Sequence, residues 1–326
     1  MITAYLSQNN FRPETITAEN VQLLNDALWI DLINPTKDEE HLVEECIDLN
    51  IPTREEIQEI EISSRLYKED NTLFMAATMV EKSASPEPKA DAVMLILFNN
   101  KLITVRYIEP QSFALLASRL SKLPYQERYT ASFILIELLD ASIDRLADIL
   151  EFVSNNLEQY SHLIFHNHDK NHEPSRPDYK ELLQKIGTNG DLNTKVQESL
   201  ITFNRLIMFF AKKISDNTNE STQKELSMLT ADIHSLIEHV SFLSNKVTFL
   251  LDATLGMVNI EQNNIIKIFS ISAVVLLPPT LIASIYGMNF EFIPELKWHF
   301  GYPFAIVLMF VSAWLPYKFF KAKKWL

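Results

Sequence analysis

The sequence predicts an α/β cytosolic domain, a mixed sheet with flanking helices, followed by a long stalk helix and two C-terminal transmembrane helices. Three observations carry that reading. Two runs near the C-terminus, Ile268–Tyr286 and Tyr302–Tyr317, hold no charged residue over 19 and 16 positions. Charge is unevenly divided: the chain totals −13, residues 267–326 carry six Lys against two Glu, and removing that +4 leaves −17 on residues 1–266. Upstream of the first run, Leu226, Leu229, Ile233, Leu236, Val240, Leu243, Val247 and Leu250 recur at alternating spacings of three and four. That is an apolar heptad seam, which packs one helix against others.

Composition narrows the class. At 326 residues the chain has room for about two domains of roughly 100–200 residues each. Five Gly and one Cys exclude a collagen and a disulfide scaffold. Cys46 has no second cysteine to pair with, which fits a reducing compartment. With 47% hydrophobic residues the chain is not intrinsically disordered. Its acidic balance lacks the basic footprint of a nucleic-acid binder. No Ser-His-Asp motif, P-loop or metal-hydrolase spacing supports an enzyme.

The body opens as mixed α/β over about residues 1–128. Ala27–Leu32 reads as a strand closed by Asn34-Pro35. Asp38–Leu49 and Thr53–Ile62 read as helices, the second capped by Thr53 with Glu56 three residues on. Thr72–Glu81 and Ala92–Phe98 are strand-like, and Asn99-Asn100 turns the chain into Leu102–Tyr107 as a hairpin partner. Ser83–Lys89 is a loop. Residues 129–223 form a helical hairpin: Phe133–Leu163 lacks Gly and Pro, and 165–177, rich in His and Asn, connects its helices. His162, His166, His168 and His172 have neither Cys nor an HExxH motif near them and read as a solvated connection.

Residues 224–267 form the stalk helix. Lys224–Leu277 contains no proline, so one helix of 54 residues, about 80 Å at roughly 1.5 Å per residue, runs from the body into the first span. Such a helix suits transmission of motion. The spans are 268–286 and 302–320, against roughly 20 apolar residues needed to cross a hydrocarbon core of about 30 Å. The alternative is a pair of buried core helices. Pro278-Pro279 in the first span removes two backbone donors, which predicts a kink and freed carbonyls. In lipid such carbonyls persist only against protein or a watery cavity, making this helix a candidate pore liner. The N-terminus has no basic start and no apolar h-region. Lys267 precedes the first span, and Lys318, Lys321, Lys323 and Lys324 follow or flank the end of the second. The positive-inside rule therefore places both termini, including the basic tail 321–326, in the cytoplasm and the loop 287–301 outside.

That loop carries the chemistry. It begins Gly287-Met288-Asn289 and ends at Gly301, two of the five glycines. Gly287 permits a sharp turn or a close approach where the span ends. Asn289 places a neutral amide oxygen at the mouth. Mg²⁺ takes oxygen ligands and gives up water reluctantly, so neutral oxygens hold it hydrated without trapping it. Glu291 and Glu295 add negative potential and concentrate cations.

Tyr286-Gly287-Met288-Asn289, followed by Pro294-Glu295-Leu296 between two C-terminal spans and ending in Lys323-Lys324-Trp325-Leu326, resembles the CorA family of magnesium transporters. The likeness is densest over residues 259–326, is closest to enterobacterial-type members, and extends to Trp29-Ile30-Asp31-Leu32. One departure is Ile293, where the family's loop usually has Met. Two spans of one chain cannot enclose an aqueous path, so the residues themselves require an oligomer; the resemblance implies a homopentameric funnel in a bacterial inner membrane. The face Asn263, Ile266, Phe269 (with Ser270), Ala273, Leu277, Thr280 and Ser284 would point at the axis. By resemblance Ile266, Phe269 and Leu277 form a hydrophobic constriction that gates by dewetting.

Several bodies of charge −17 around one axis repel, and divalent cations bridging carboxylates relieve that repulsion. The resemblance implies closure by cytosolic Mg²⁺ bound between subunits. At the stalk position where the family carries an acidic residue this chain has Met228. Glu225, Asp232 and Glu238 are substitutes, with Asp91 or Asp70 as partners from the sheet. The reading is therefore passive import of Mg²⁺, with Co²⁺ and Ni²⁺, by a self-associated chain in a lipid bilayer, with Mg²⁺ as substrate and regulatory ligand and no cofactor. The alternatives are a zinc transporter of the same superfamily and a membrane-anchored sensor or enzyme.

Overall fold

The computed structural model describes residues 1–59, 61, 65–85, 87–122, 129–165, 178–214, 220–289, 294, 298–323 and 325. It divides into two compact units, Met1–Leu251 and Asp252–Leu326.

The first unit is built on a seven-stranded sheet. Its strands are β1 (Ile2–Tyr5), β2 (Pro13–Ile16), β3 (Trp29–Ile33), β4 (Leu66–Glu69), β5 (Thr72–Glu81), β6 (Lys89–Phe98) and β7 (Lys101–Arg106). Their order is β2-β1-β3-β7-β6-β5-β4. Among the described residues only the β3–β7 pair is parallel, with Trp29 opposite Leu102 and Asp31 opposite Thr104. The β6–β7 hairpin turns on Asn99 and Asn100, both at positive φ (45° and 58°), the conformation a two-residue turn needs to match strand twist.

Helices cover both faces of the sheet. Side chains alternate along each strand. Ile30, Leu32, Phe74, Met94, Ile96, Ile103 and Val105 join Val43 and Ile47 of α1 (Lys37–Ile47) and Ile57 of α2 (Arg54–Ile57) in one core. The residues between them face α3 (Gln111–Leu120), α4 (Ala131–Phe165) and α5 (Tyr179–Ile214). Trp29 meets Phe113 of α3, with ring centroids 6.1 Å apart. Capping boxes start both α1, at Thr36 with Glu39, and α2, at Thr53 with Glu56. The cap expected at Thr53 is present, but the helix behind it is one turn of four residues rather than reaching Ile62. Residues 60 and 62–64 lie outside those described. Strands β1, β2 and β4 and helix α3 were not expected.

Beyond the short β4, β5 is an edge strand, and α5 covers it. The Ser199 hydroxyl donates to the Thr78 carbonyl (2.6 Å), and the Thr78 N–H donates to the Thr202 hydroxyl (2.9 Å). Two backbone groups that would template another strand are thereby satisfied. On the sheet face toward α3 lies a buried polar network. Arg106 donates to Asp31 through Nε (3.1 Å) and Nη2 (2.8 Å) and to the Ile108 carbonyl through Nη1 (3.0 Å). Thr104 donates to Asp31 (2.7 Å) and accepts from the Trp29 indole (3.0 Å). Asp31 and Arg106 are 1% and 6% exposed. Burial, and then the Asp31 carboxylate, push the neighbouring Tyr5 phenol up to about 12.

One helix, α6 (Glu220–Tyr286, 67 residues), contributes to both units. The heptad seam is its inward face: Leu226, Leu229, Ile233, Val240, Leu243, Val247 and Leu250 are buried, and Leu236 is half-buried. Thr254 extends the buried line by four residues. The second unit holds the end of α6 and α7 (Gly301–Ala322).

Candidate functional site

The candidate site lies in the C-terminal part of α6 and the residues that follow it. The helix continues through Pro278 and Pro279 to Tyr286, so the prolines do not end it. They do deprive the Val274 and Val275 carbonyls of their usual donors four residues on. Just beyond, the Thr280 hydroxyl donates to the Leu277 carbonyl (2.8 Å), and before them Ser272 donates to Ile268 (2.9 Å). In both cases a hydroxyl hydrogen is spent within the helix, and the oxygen retains lone pairs for an outside donor such as an ion's hydration water.

The most apolar window of each candidate span is only 6% buried. Buried core helices would show the reverse, so that alternative fails. Asn263, Ile266, Phe269, Ser270, Ala273, Leu277, Thr280 and Ser284 are all exposed. At about 100° per residue their spacing places them on one face of α6. The apolar members are among the barest in the chain: Ile266 58%, Phe269 72% and Leu277 62%. Ile271, on the other side of the helix, is 6% exposed.

Gly287 follows the last helical turn, with its N–H donating to the Ala283 carbonyl (2.9 Å). It needs no positive φ, so the sharp turn that the sequence allowed is not used. Close approach is what it permits: a Cβ there would sit 3.1 Å from the Ala283 oxygen. Met288 and Asn289 are exposed past the helix end. Glu291 and Glu295 lie outside the described residues, as do His166, His168, His172 and Lys324.

The candidate regulatory acids do not converge within one chain. Among the described residues no group of three or more His, Cys, Asp or Glu is placed to hold a metal ion. Glu225 and Asp232, seven residues apart on α6, are exposed on one face; Glu238, also exposed, is turned to another. Asp91 fits an ion poorly. Its carboxylate accepts from Gln58 (3.2 Å) and the Ala92 N–H (2.8 Å), and Arg54 lies 3.9 Å away. Asp70 is exposed in the β4–β5 turn at positive φ. Burial, followed by the charge of Asp140, raises the carboxyl of Glu137 on α4, with Glu225 adding a smaller push and Arg119 opposing.

Sequence reasoning missed one feature of α6. Met228, Phe242 and Phe249 are 58%, 57% and 58% exposed and recur at multiples of seven, away from the buried seam. The heptad spacing was available in the sequence, but the more continuous Leu/Val seam masks it.

Several known proteins are similar to this chain. A family model described as CorA-like Mg²⁺ transporter protein matches residues 25–323. The magnesium transport protein CorA of Escherichia coli strain K12 is 36% identical over 326 residues, covering all of both chains. Its counterpart from Salmonella typhimurium is 35% identical over the same span. Among solved structures, the CorA magnesium transporter of Methanocaldococcus jannaschii shares the fold with TM-score 0.73 at 19% identity, covering 100% of this chain and 99% of that one. The ZntB cytoplasmic domain of Vibrio parahaemolyticus is more distant, with TM-score 0.55 at 12% identity over 79% of this chain and 98% of that one. The chain belongs to the CorA-like Mg²⁺ transporter family.

Proposed function

We propose that this protein imports Mg²⁺, and Co²⁺ and Ni²⁺ with it, through an aqueous pore formed by five copies of the chain in a bacterial inner membrane. The observation that carries the reading is Gly287-Met288-Asn289 placed at the end of a helix whose apolar surface is bare. Two relatives named as magnesium transport proteins, alike over their full length, support Mg²⁺ as the substrate. The zinc alternative has the weaker support of the remote likeness to ZntB.

In this reading α6 lines the pore with the face Asn263, Ile266, Phe269, Ala273, Leu277, Thr280 and Ser284. Neutral oxygens at its two ends receive the hydrated ion by hydrogen bonds. The apolar middle sets a dewetting barrier. Asn289 selects at the outer mouth by matching the hydration geometry of Mg²⁺, which costs less than stripping its water. The bare stripe of Met228, Phe242 and Phe249 supports self-association, because exposed apolar side chains in register are covered by a second copy. Cytosolic Mg²⁺ closes the pore by binding exposed stalk acids between subunits, Glu225 and Asp232 first and Glu238 beside the phenylalanine stripe. The ion shifts the equilibrium only through its preference for the closed state. No catalytic step is involved.

Uptake of Mg²⁺ by cells lacking their own magnesium transport tests this reading. Asn289→Ala should lower uptake at least tenfold while the protein still reaches the membrane. Uptake equal to wild type would remove Asn289 from selection.

A further inference from the structure

Among the described residues, the lysines of the second unit gather at one end, against aromatic rings. Lys318 Nζ sits 4.8 Å from the centroid of Trp314, and Lys321 Nζ 6.0 Å from that of Tyr317, each one turn earlier on α7. Trp325 folds back on the helix end, its N–H donating to the Phe320 carbonyl (3.0 Å) and its ring stacking on Phe320 (5.8 Å). In that position Trp325 meets Lys267 of α6, whose Nζ lies 5.8 Å from the ring. Lysines from both spans therefore share one end of this unit. Among the described residues, no carboxylate lies within 4.0 Å of Lys267, Lys318, Lys321 or Lys323. The far end carries an aromatic cluster too, with Trp298 against Phe300 and Phe304; Lys297, next to it in sequence, lies outside the described residues.

Tryptophan and tyrosine settle where hydrocarbon meets headgroup. Trp314 and Tyr317 are 55% and 44% exposed, so their rings are free to do so. An ammonium held over such a ring lies at the depth of the lipid phosphates. The ring's quadrupole satisfies one side of the cation and leaves the other facing outward. Zwitterionic lipid supplies a phosphate with its own cation attached; an anionic lipid supplies a net charge. We infer that Lys267, Lys318 and Lys321, with Trp314, Tyr317 and Trp325, form a binding site for the phosphate of an anionic phospholipid headgroup at the cytosolic face. The inference rests on reading α6 and α7 as membrane spans. Each lysine near an anionic surface favours the charged lipid about fivefold.

The full chain, reconstituted into vesicles of phosphatidylglycerol and phosphatidylcholine with one lipid brominated at a time, tests the site through quenching of its tryptophans. Brominated phosphatidylglycerol should quench with several-fold preference. Lys318→Gln with Lys321→Gln should abolish most of that preference, and the matching Arg variants should keep it. Equal quenching by the two lipids, or a preference unchanged in the Gln variant, would overturn the inference. Inorganic phosphate should not compete; if it displaces the preference at millimolar concentration, the occupant is a free anion and the lipid assignment falls. Chain that inserts normally but shows no preference sinks this inference alone, whereas chain that alkali strips from the vesicles sinks the membrane reading with it.

Discussion

Replacing Asp31 by Asn should cost the first unit more than almost any other single change. The carboxylate is 1% exposed, and Arg106, which it neutralises, is 6% exposed. Two of the guanidinium's nitrogens donate to Asp31, the third donates to the Ile108 carbonyl, and the Phe113 ring lies 4.3 Å from its carbon. With that packing around it, Arg106 cannot swing into water when the charge opposite disappears. An amide of nearly the same shape leaves the cation buried and uncompensated, and breaking a buried pair in this way costs about 3–5 kcal/mol. For a unit of this size that is a fall of roughly 6–20 °C in Tm. Removing both charges is different. Asp31→Leu with Arg106→Leu takes away the desolvation penalty along with the attraction, and such replacements range from neutral to about 1–4 kcal/mol stabilising. Residues 1–251 expressed alone and unfolded in urea, followed by far-ultraviolet circular dichroism, give both numbers. If Asp31→Asn stays within about 1 kcal/mol of wild type, or if the double variant is as unstable as the single, the charge-pair reasoning is wrong.

Two further outcomes follow from the same unit. Thr202→Val keeps the side-chain volume but orphans the Thr78 N–H, so it should cost about 1–3 kcal/mol by the same urea assay while Thr202→Ser costs much less; a Ser variant that loses as much as or more than the Val variant would mean that the hydrogen bond is not what stabilises this contact. Glu137 has its carboxyl raised by burial and by Asp140, so the folded state holds its proton more tightly than the unfolded chain does. Between the ordinary and the raised value stability falls as pH rises, and the penalty is complete above the raised value. Glu137→Gln should therefore raise Tm at neutral pH and lose that advantage once the medium is acid enough to protonate the unfolded carboxyl; a gain that persists unchanged in acid would assign it to packing instead.

What could be read from the residues was what depends on short stretches of chain. An uncharged run of apolar residues needs no partner to be recognised, and neither does a Thr-x-x-Glu cap. Asn99-Asn100 announced its hairpin because few other residues accept positive φ twice in succession. The Gly287-Met288-Asn289 motif was legible only in its setting at the end of a span. The sheet was another matter. Strand β1 is four residues long, β2 carries a proline and an exposed Thr15, and β4 ends in Lys68 and Glu69. Their own patterns are too short or too polar to mark them, and they exist because β3 and β5 offer a ladder. The parallel pairing of β3 with β7 joins residues more than 70 positions apart, which no local pattern records. Asp91 looked like a candidate for an ion because nothing in the sequence says that Gln58 and Arg54 come to lie beside it.

The hydroxyl pair that closes the β5 edge arrives late in synthesis. About 120 residues separate Glu81 from Ser199, and at about 5–20 residues per second a ribosome needs roughly 6–24 s to supply them. Throughout that interval the strand Ala76–Glu81 has left the ribosome with its outer backbone groups unclaimed. A nascent chain on the same messenger offers an identical strand at high local concentration. The protein's yield in cells should therefore respond to translation speed between codons 82 and 199, and to strand-binding chaperones, in a way that the stability of the finished molecule would not reveal.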